Sequence, residues 1–437
     1  LELNQPLLNN NDCNEPMPLH KHIFTNTLIL SFGIFIGRLS GYLREVIIAY
    51  KFGVNSQADA IILMLNIPDL LNNLLISGAI SAILLPMFSK ETNLSGIITE
   101  FTRKLFILSL TMYIVVGALL FIYYEYYLFG LLSISLLSVF PNVITFVSSS
   151  YLQYKKKFTF QALNTLVFNL VIILFLLFEF YGYIFAFGVI MASVIRMFWI
   201  TYDLNTTDIN SRIFFNTLKQ NNPQKKFAYQ FLIFMILANG IAFINPMVDK
   251  LFAAFLQEGS VAVLSYAEKI YLLPVSIFLT TYAIAMFPDL SKMVANRQYT
   301  EVNALLKRSI YFNLFISLIV AVFIYIFSDS IVKLLYGIVG ISVDNLSLIS
   351  YVLNGYFFAI VFAGFNSIVL NLFFSFRWYN LMICYSILIL TLKILGNWII
   401  VYLDLHVFYI ALSTSLLVAL SALTLITTYF FRRGTIN

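Results

Sequence analysis

Residues 104–126 read KLFILSLTMYIVVGALLFIYYEY, and the twenty residues between Lys104 and Glu125 carry no charge. A helix rises ~1.5 Å per residue, so such a run covers about 30 Å, the thickness of a bilayer's hydrocarbon core. Lipid offers no partner to a stray backbone amide or carbonyl, so a span must be a helix or a strand of a closed barrel. An unbroken apolar run, as opposed to an alternating one, selects the helix. This segment is predicted to cross a membrane.

Working outward from it, stretches of the same kind fall near 25–50, 59–89, 104–126, 128–153, 158–179, 182–203, 228–255, 262–289, 309–335, 349–375, 380–402 and 405–431. The composition agrees, because only 11% of the 437 residues are charged and 61% are hydrophobic, whereas soluble domains carry roughly 25% charge. The expected fold class is an all-α integral membrane protein of about twelve transmembrane helices. The longest polar connection divides the spans six and six, as expected for two pseudo-symmetric six-helix lobes around a central cavity. The predicted divisions are a disordered cytoplasmic tail over 1–24, an N-lobe over 25–203, a cytoplasmic linker over 204–226 and a C-lobe over 227–437.

The basic residues set the orientation. Loops on the side of the tail hold 18 Lys and Arg, and the opposite loops hold only Lys51 and Lys333. Basic loops stay in the cytoplasm, so an even number of spans with both termini cytoplasmic is expected. The net charge of +6 is dispersed among the spans and not gathered on a soluble face, which argues against a nucleic-acid partner. Cys13, Cys384, His20, His22 and His406 form no ligand spacing, and neither a phosphate-binding loop nor a dinucleotide-binding turn occurs. No metal, cofactor or catalytic residue is therefore expected. His406 beside Asp404 is the one acid–base candidate a membrane-embedded transferase would have, and it is weak.

Charges inside the spans are the informative residues, because a cation at a helix centre costs at least ~2.5 kcal/mol and must face a cavity, a partner or the interface. Six occur: Arg38, Arg44, Arg196, Lys250, Lys269 and Lys393. Arg38 is too deep in the first span to reach the interface, which points to a cavity wall. Arg44, Lys250 and Lys269 have a second reading, as side chains that snorkel to the membrane surface. Arg196 is read as snorkelling to the inner interface, and Lys393 has no partner near it in sequence. The acids Glu45, Asp59, Asp249 and Glu268 stand close to cations in sequence and are expected to pair with them or gate the cavity when it is empty. Gly33, Gly37 and Gly41 at four-residue spacing form a ridge suited to close helix contact.

The stretch 37–90, GRLSGYLREVIIAYKFGVNSQADAIILMLNIPDLLNNLLISGAISAILLPMFSK, resembles the opening of the MurJ (MviN) family of lipid II flippases. VDKLFAAFLQEGSVAVLSYAEKIYLLP at 248–274, FPDLSK at 287–292 and the closing ALSTSLLVALSALTLITTYFFRRG follow the family's order. The resemblance implies the fold of the multidrug/oligosaccharidyl-lipid/polysaccharide exporter superfamily, with a cationic central cavity. It places the family's functional arginines of the first helix on Arg38 and Arg44, its aspartate on Asp59 and its eighth-helix arginine on Lys269. The second-helix arginine pair corresponds to Asn72 and Asn73, a nearby acid to Ser77, and the twelve spans compare with the family's usual fourteen.

The function implied is translocation of undecaprenyl-diphosphate-linked peptidoglycan precursor, lipid II, from the cytoplasmic to the outer leaflet of the bacterial inner membrane by alternating access, without an enzymatic step. The expected binding residues are Arg38, Arg44, Lys269, Asn72 and Asn73. The implied partners are the lipid-linked glycan, membrane lipids and cell-wall synthesis machinery. Two alternatives remain: a flippase for another polyprenyl-linked glycan such as O-antigen or exopolysaccharide, and a multidrug cation antiporter, whose cavity should present carboxylates.

Overall fold

The structure, a computed structural model, describes residues 19–76, 84, 88, 94–155, 157, 159–178, 180–207, 244–337, 340–376 and 378–433. Most of the expected tail, linker residues 208–226, the beginning of the seventh span and Ser77 lie outside the described residues. Each of the twelve expected stretches holds helix, the second and seventh being described only in part. Among the described residues, seven helices are long and apolar enough to cross a membrane by length and composition.

In chain order the helices are α1 (Leu19–Phe52), α2 (Ser56–Ile76), α3 (Leu94–Tyr123), α4 (Tyr126–Leu136), α5 (Val139–Tyr154), α6 (Asn164–Leu177), α7 (Tyr183–Leu204), α8 (244–253), α9 (Ser260–Pro274), α10 (Thr281–Ala295), α11 (Tyr299–Tyr336), α12 (Val343–Gly355), α13 (Phe357–Ser375), α14 (Tyr379–Tyr402) and α15 (Phe408–Arg433). The fourth, eighth and tenth spans are thus broken helices, and each break has a chemical cause. Pro141 has no N–H to return to the Leu137 carbonyl, which accepts instead from the Phe140 amide at 3.2 Å. Pro274 ends α9, and a π-helical turn over Val275–Thr280 follows it. At the tenth-span break, Ser415 of α15 donates to the Gly355 carbonyl at 2.6 Å and accepts from the Ala359 amide at 3.1 Å. It thereby satisfies backbone groups that lipid would leave stranded.

Helices α1 to α7 pack mainly among themselves, as do α9 to α15; between the groups, α9 meets α1 and α2, and α11 meets α1. The glycine ridge of α1 does what its spacing predicts. Gly33 abuts Ala162, a Cβ on Gly37 would stand 3.1 Å from the Thr165 Cβ, and one on Gly41 3.5 Å from Asn169 Nδ2. Large apolar side chains such as Ile114, Phe121, Phe315 and Ile326 point outward from α3 and α11, where lipid is their solvent.

The apolar core is shared at one end and divided at the other. Around the α1–α2 turn a single cluster joins both groups, from Ile48, Ile62 and Leu132 to Val263, Ile349 and Ile410. Towards the opposite end, Phe101, Val147 and Tyr151 form a core of the first group alone, and Leu290, Ile368 and Phe373 one of the second. The two lobes therefore part along the membrane normal, with charged side chains gathered where they begin to separate.

Candidate functional site

A cavity of about 540 Å³ lies between the lobes, and its described wall includes Arg38, Arg44, Arg196 and Lys269 but only one acid, Asp69. Asn72 and Asn73 line it as well. Four cations against one carboxylate in a low-dielectric setting make a site for an anion, not for a cation.

Arg44 is 7% exposed and held at both ends of its guanidinium. One nitrogen donates to Asn169 Oδ1 at 3.1 Å and the other to Glu45 Oε1 at 3.1 Å. Asn169 is itself fixed, its Nδ2 donating to Ser40 Oγ at 2.9 Å and to the Gly37 carbonyl at 3.3 Å. Lys269 Nζ, from α9, approaches the same Glu45 oxygen at 3.8 Å. Arg44, Glu45 and Lys269 thus form an ion triad that crosses between the lobes, with Glu45 1% exposed at its centre. Arg38 is exposed to the cavity and makes no hydrogen bond or ion pair among the described residues.

Arg44 and Glu45 pair as their adjacency suggests, but the other ion pairs differ from those suggested by adjacency along the chain. Lys250 pairs with Glu268 at 2.9 Å and reaches Asn66 at 3.2 Å, while Asp249 pairs with Lys393 at 2.7 Å. Successive residues on a helix point about 100° apart, so Asp249 and Lys250, or Glu268 and Lys269, look toward different neighbours. Asp249 also accepts from Asn397 at 2.8 Å and Thr414 at 2.7 Å, beside a second cavity of about 260 Å³ within the C-lobe. Lys393, without a partner in sequence, has one in space.

Two further expectations are corrected. Asp59 pairs with no cation among the described residues: its two oxygens accept from the Gly259 amide at 2.8 Å and the Ala262 amide at 2.7 Å, capping α9 from the other lobe. The exposed amides of a helix N-terminus carry partial positive charge and are a natural seat for a carboxylate. Gly259 sits at φ +85°, where a side chain would be strained and its Cβ would run into Val54. Snorkelling is also overturned for Arg44, Lys250, Lys269 and Arg196, because each is turned into the protein: three are buried and Lys269 lines the cavity. Arg196 is 7% exposed, hydrogen-bonds Asn142 and lies against Phe168.

Asn169, Asn142, Asn397 and Thr414 are hydrogen-bonding neighbours of the buried charges that charge alone does not reveal. Their signal is fainter: a polar side chain inside an apolar span needs a protein partner and so faces inward. His406 belongs to no site of this kind, since its Nδ1 accepts from the Phe408 amide at 3.2 Å at the start of α15.

Comparison with known proteins gives the family and the fold. A family model described as "MurJ: Lipid II flippase MurJ" matches residues 48–436, beginning just after Arg38 and Arg44. The "Probable lipid II flippase MurJ" of Rickettsia prowazekii (strain Madrid E) is 26% identical over 341 residues, covering 72% of this chain and 66% of that protein. That of Rhizobium tropici is 24% identical over 72% of this chain and 64% of its own length. The chain thus spans a little under two thirds of those two relatives. That of Aquifex aeolicus (strain VF5) is 25% identical over 81% of this chain and 72% of its own. Among solved structures, "Lipid II flippase MurJ, inward closed conformation" superposes with a TM-score of 0.76 at 20% identity, over 92% of this chain and 87% of that one. An inward-facing multidrug resistance MATE family transporter of the MOP superfamily superposes with 0.68 at 15%, over 94% and 95%. These structural likenesses speak to the fold alone.

Proposed function

This chain belongs to the lipid II flippase MurJ family, and on that premise we propose that it carries lipid II from the cytoplasmic to the outer leaflet by alternating access, with no chemical step. The observation that carries this reading is the cavity between the lobes, whose wall sets Arg38, Arg44, Arg196 and Lys269 against a single acid. A diphosphate and its sugars meet a prohibitive barrier in ~30 Å of hydrocarbon, and fixed cations in a wet cavity replace the hydration they lose. In this reading Arg38, which has no partner among the described residues, and Arg44, pre-oriented by Asn169, clamp the diphosphate. Lys269 contributes from the C-lobe, and Asn72 and Asn73 offer neutral hydrogen bonds to the sugars.

The charge asymmetry of the loops supports cytoplasmic termini, with the α1–α2 turn on the outer side. The shared core and the Asp59 clasp then lie at the outer gate, and the divided cores lie toward the cytoplasm, where the substrate enters. Delivery to cell-wall synthesis enzymes on the outer face follows from that direction.

The test is complementation of a flippase-depleted bacterium. Arg38→Ala and Arg44→Ala should each reach the membrane and fail to support growth; normal growth with both would remove the clamp. A second reading, transport of another polyprenyl-diphosphate glycan, is favoured by the neutral Asn72 and Asn73 in the cavity wall. It predicts that rescue fails while a labelled O-antigen or capsule intermediate still reaches the outer face. The cation antiporter fits poorly with the sign of the cavity.

A further inference from the structure

We propose that Arg196, on α7, is a further binding residue for the substrate's diphosphate, acting from a third helix alongside the α1 arginines and Lys269. The inference rests on the transport reading above. Its warrant is the lack of a carboxylate in contact with it. Each of the other buried cations has a carboxylate: Arg44 has Glu45 at 3.1 Å, Lys250 has Glu268 at 2.9 Å and Lys393 has Asp249 at 2.7 Å. Arg196 is as buried as Arg44, yet among the described residues no carboxylate comes within ion-pair distance of it. The groups touching it are neutral, the Asn142 side-chain oxygen, the Phe168 ring at 4.8 Å and the Phe146 ring at 5.7 Å, and Asp69 of the same cavity wall acts on it only from beyond ion-pair distance. Its Nε is buried with no hydrogen-bond acceptor.

A buried guanidinium with no carboxylate in contact is costly, and an anion arriving in the cavity would complete it. The surroundings suit that use. Phe168 and Phe146 line the same cavity as Arg196, and stacking on rings holds a guanidinium flat while leaving its N–H edge free for oxygens. The depth fits as well. Arg196 stands thirteen residues, about 20 Å, from the start of α7, and Arg38 fourteen residues, about 21 Å, from the end of α1. Those two helix ends lie on the same side in an up-and-down arrangement of six spans, so the two guanidinium groups sit at similar depth in the bilayer.

The experiment uses the full chain, purified and reconstituted, and compares its affinity for undecaprenyl diphosphate with that for undecaprenyl monophosphate. The two probes share a tail and differ by one phosphate. A residue that only holds the helices together would weaken both equally when changed, leaving their ratio intact. In Arg196→Gln the preference for the diphosphate should fall about tenfold, the loss expected for one charge-assisted contact. Arg196→Lys, which keeps the charge but not the fork, should lower it about threefold and serves if the Gln variant does not fold. An unchanged ratio in the folded variant overturns the proposal, as does a wild type that binds both probes equally. Lipid II binding by the wild type is measured alongside. Its absence would sink the transport reading, whereas lipid II binding with an unchanged ratio would sink only the role of Arg196.

Discussion

Arg44 shows how a cation is kept inside a membrane without being neutralised beyond use. Glu45 takes one edge of its guanidinium and Asn169 the other, so the group is oriented and still borders the cavity. Asn169 is the less obvious half of the arrangement, because its three hydrogen bonds tie α6 to the Gly37–Ser40 turn of α1 as well as to Arg44. Asn169→Leu keeps the same number and branching of side-chain heavy atoms and suits lipid better, so it should assemble. A bond to a charged group is worth ~1.5–3 kcal/mol, so transport should drop about tenfold or more while expression is kept. A lipid II translocation assay in proteoliposomes reads this directly, and unaltered transport would make Asn169 a packing residue only.

Helices here owe their positions to small residues and polar stitches, not to hydrophobicity, since lipid is as apolar as the protein. The Gly33–Gly37–Gly41 ridge lets α1 lie close against the Ala162–Asn169 segment, bringing Arg44 within reach of Asn169. In the C-lobe, Asp249 on α8 gathers Lys393 and Asn397 of α14 and Thr414 of α15 around one carboxylate. Breaking such a pair from one side leaves a charge buried alone, at a cost of ~3–5 kcal/mol. Lys393→Met should therefore lower the thermal unfolding midpoint in detergent by many degrees. Asp249→Leu combined with Lys393→Met should recover much of the loss, since both charges go together. If the double variant is no better than the single one, the cluster does not act as a pair.

On the scale of the whole molecule, the lobes are clasped at one end by contacts that can be released. Asp59 caps α9 across the interface, Tyr266 donates to the Gly53 carbonyl at 2.9 Å, Lys269 meets Glu45, and the Tyr124 ring stacks on Phe255 at 5.3 Å. An anion bound to Arg44 and Lys269 competes with Glu45 for both cations, which couples occupancy of the cavity to the tie between lobes. Asp59→Ala removes two hydrogen bonds to a helix terminus, each worth roughly 1.5 kcal/mol or more. The population opened at this end should then rise at least tenfold, and spin labels on either side of the turn would report it as a longer distance component. An unchanged distance distribution would show that the clasp does not set the equilibrium.

Much was legible in the sequence alone. Twenty uncharged residues at a time must be membrane helices, because hydrocarbon leaves the backbone no other partner. The lopsided loop charges support an even number of crossings, and cations deep in the spans called for a cavity, a partner or the interface. These conclusions follow from solvation, which acts on each segment separately. Which charges meet was a tertiary matter. Glu45 with Lys269, Asp249 with Lys393 and Asp59 with the amides of α9 join residues more than a hundred positions apart, and helix geometry turns Asp249 from Lys250 and Glu268 from Lys269. The same holds for Arg196: whether it reaches the membrane surface or faces the cavity depends on how α5, α6 and α7 pack, which no single helix encodes.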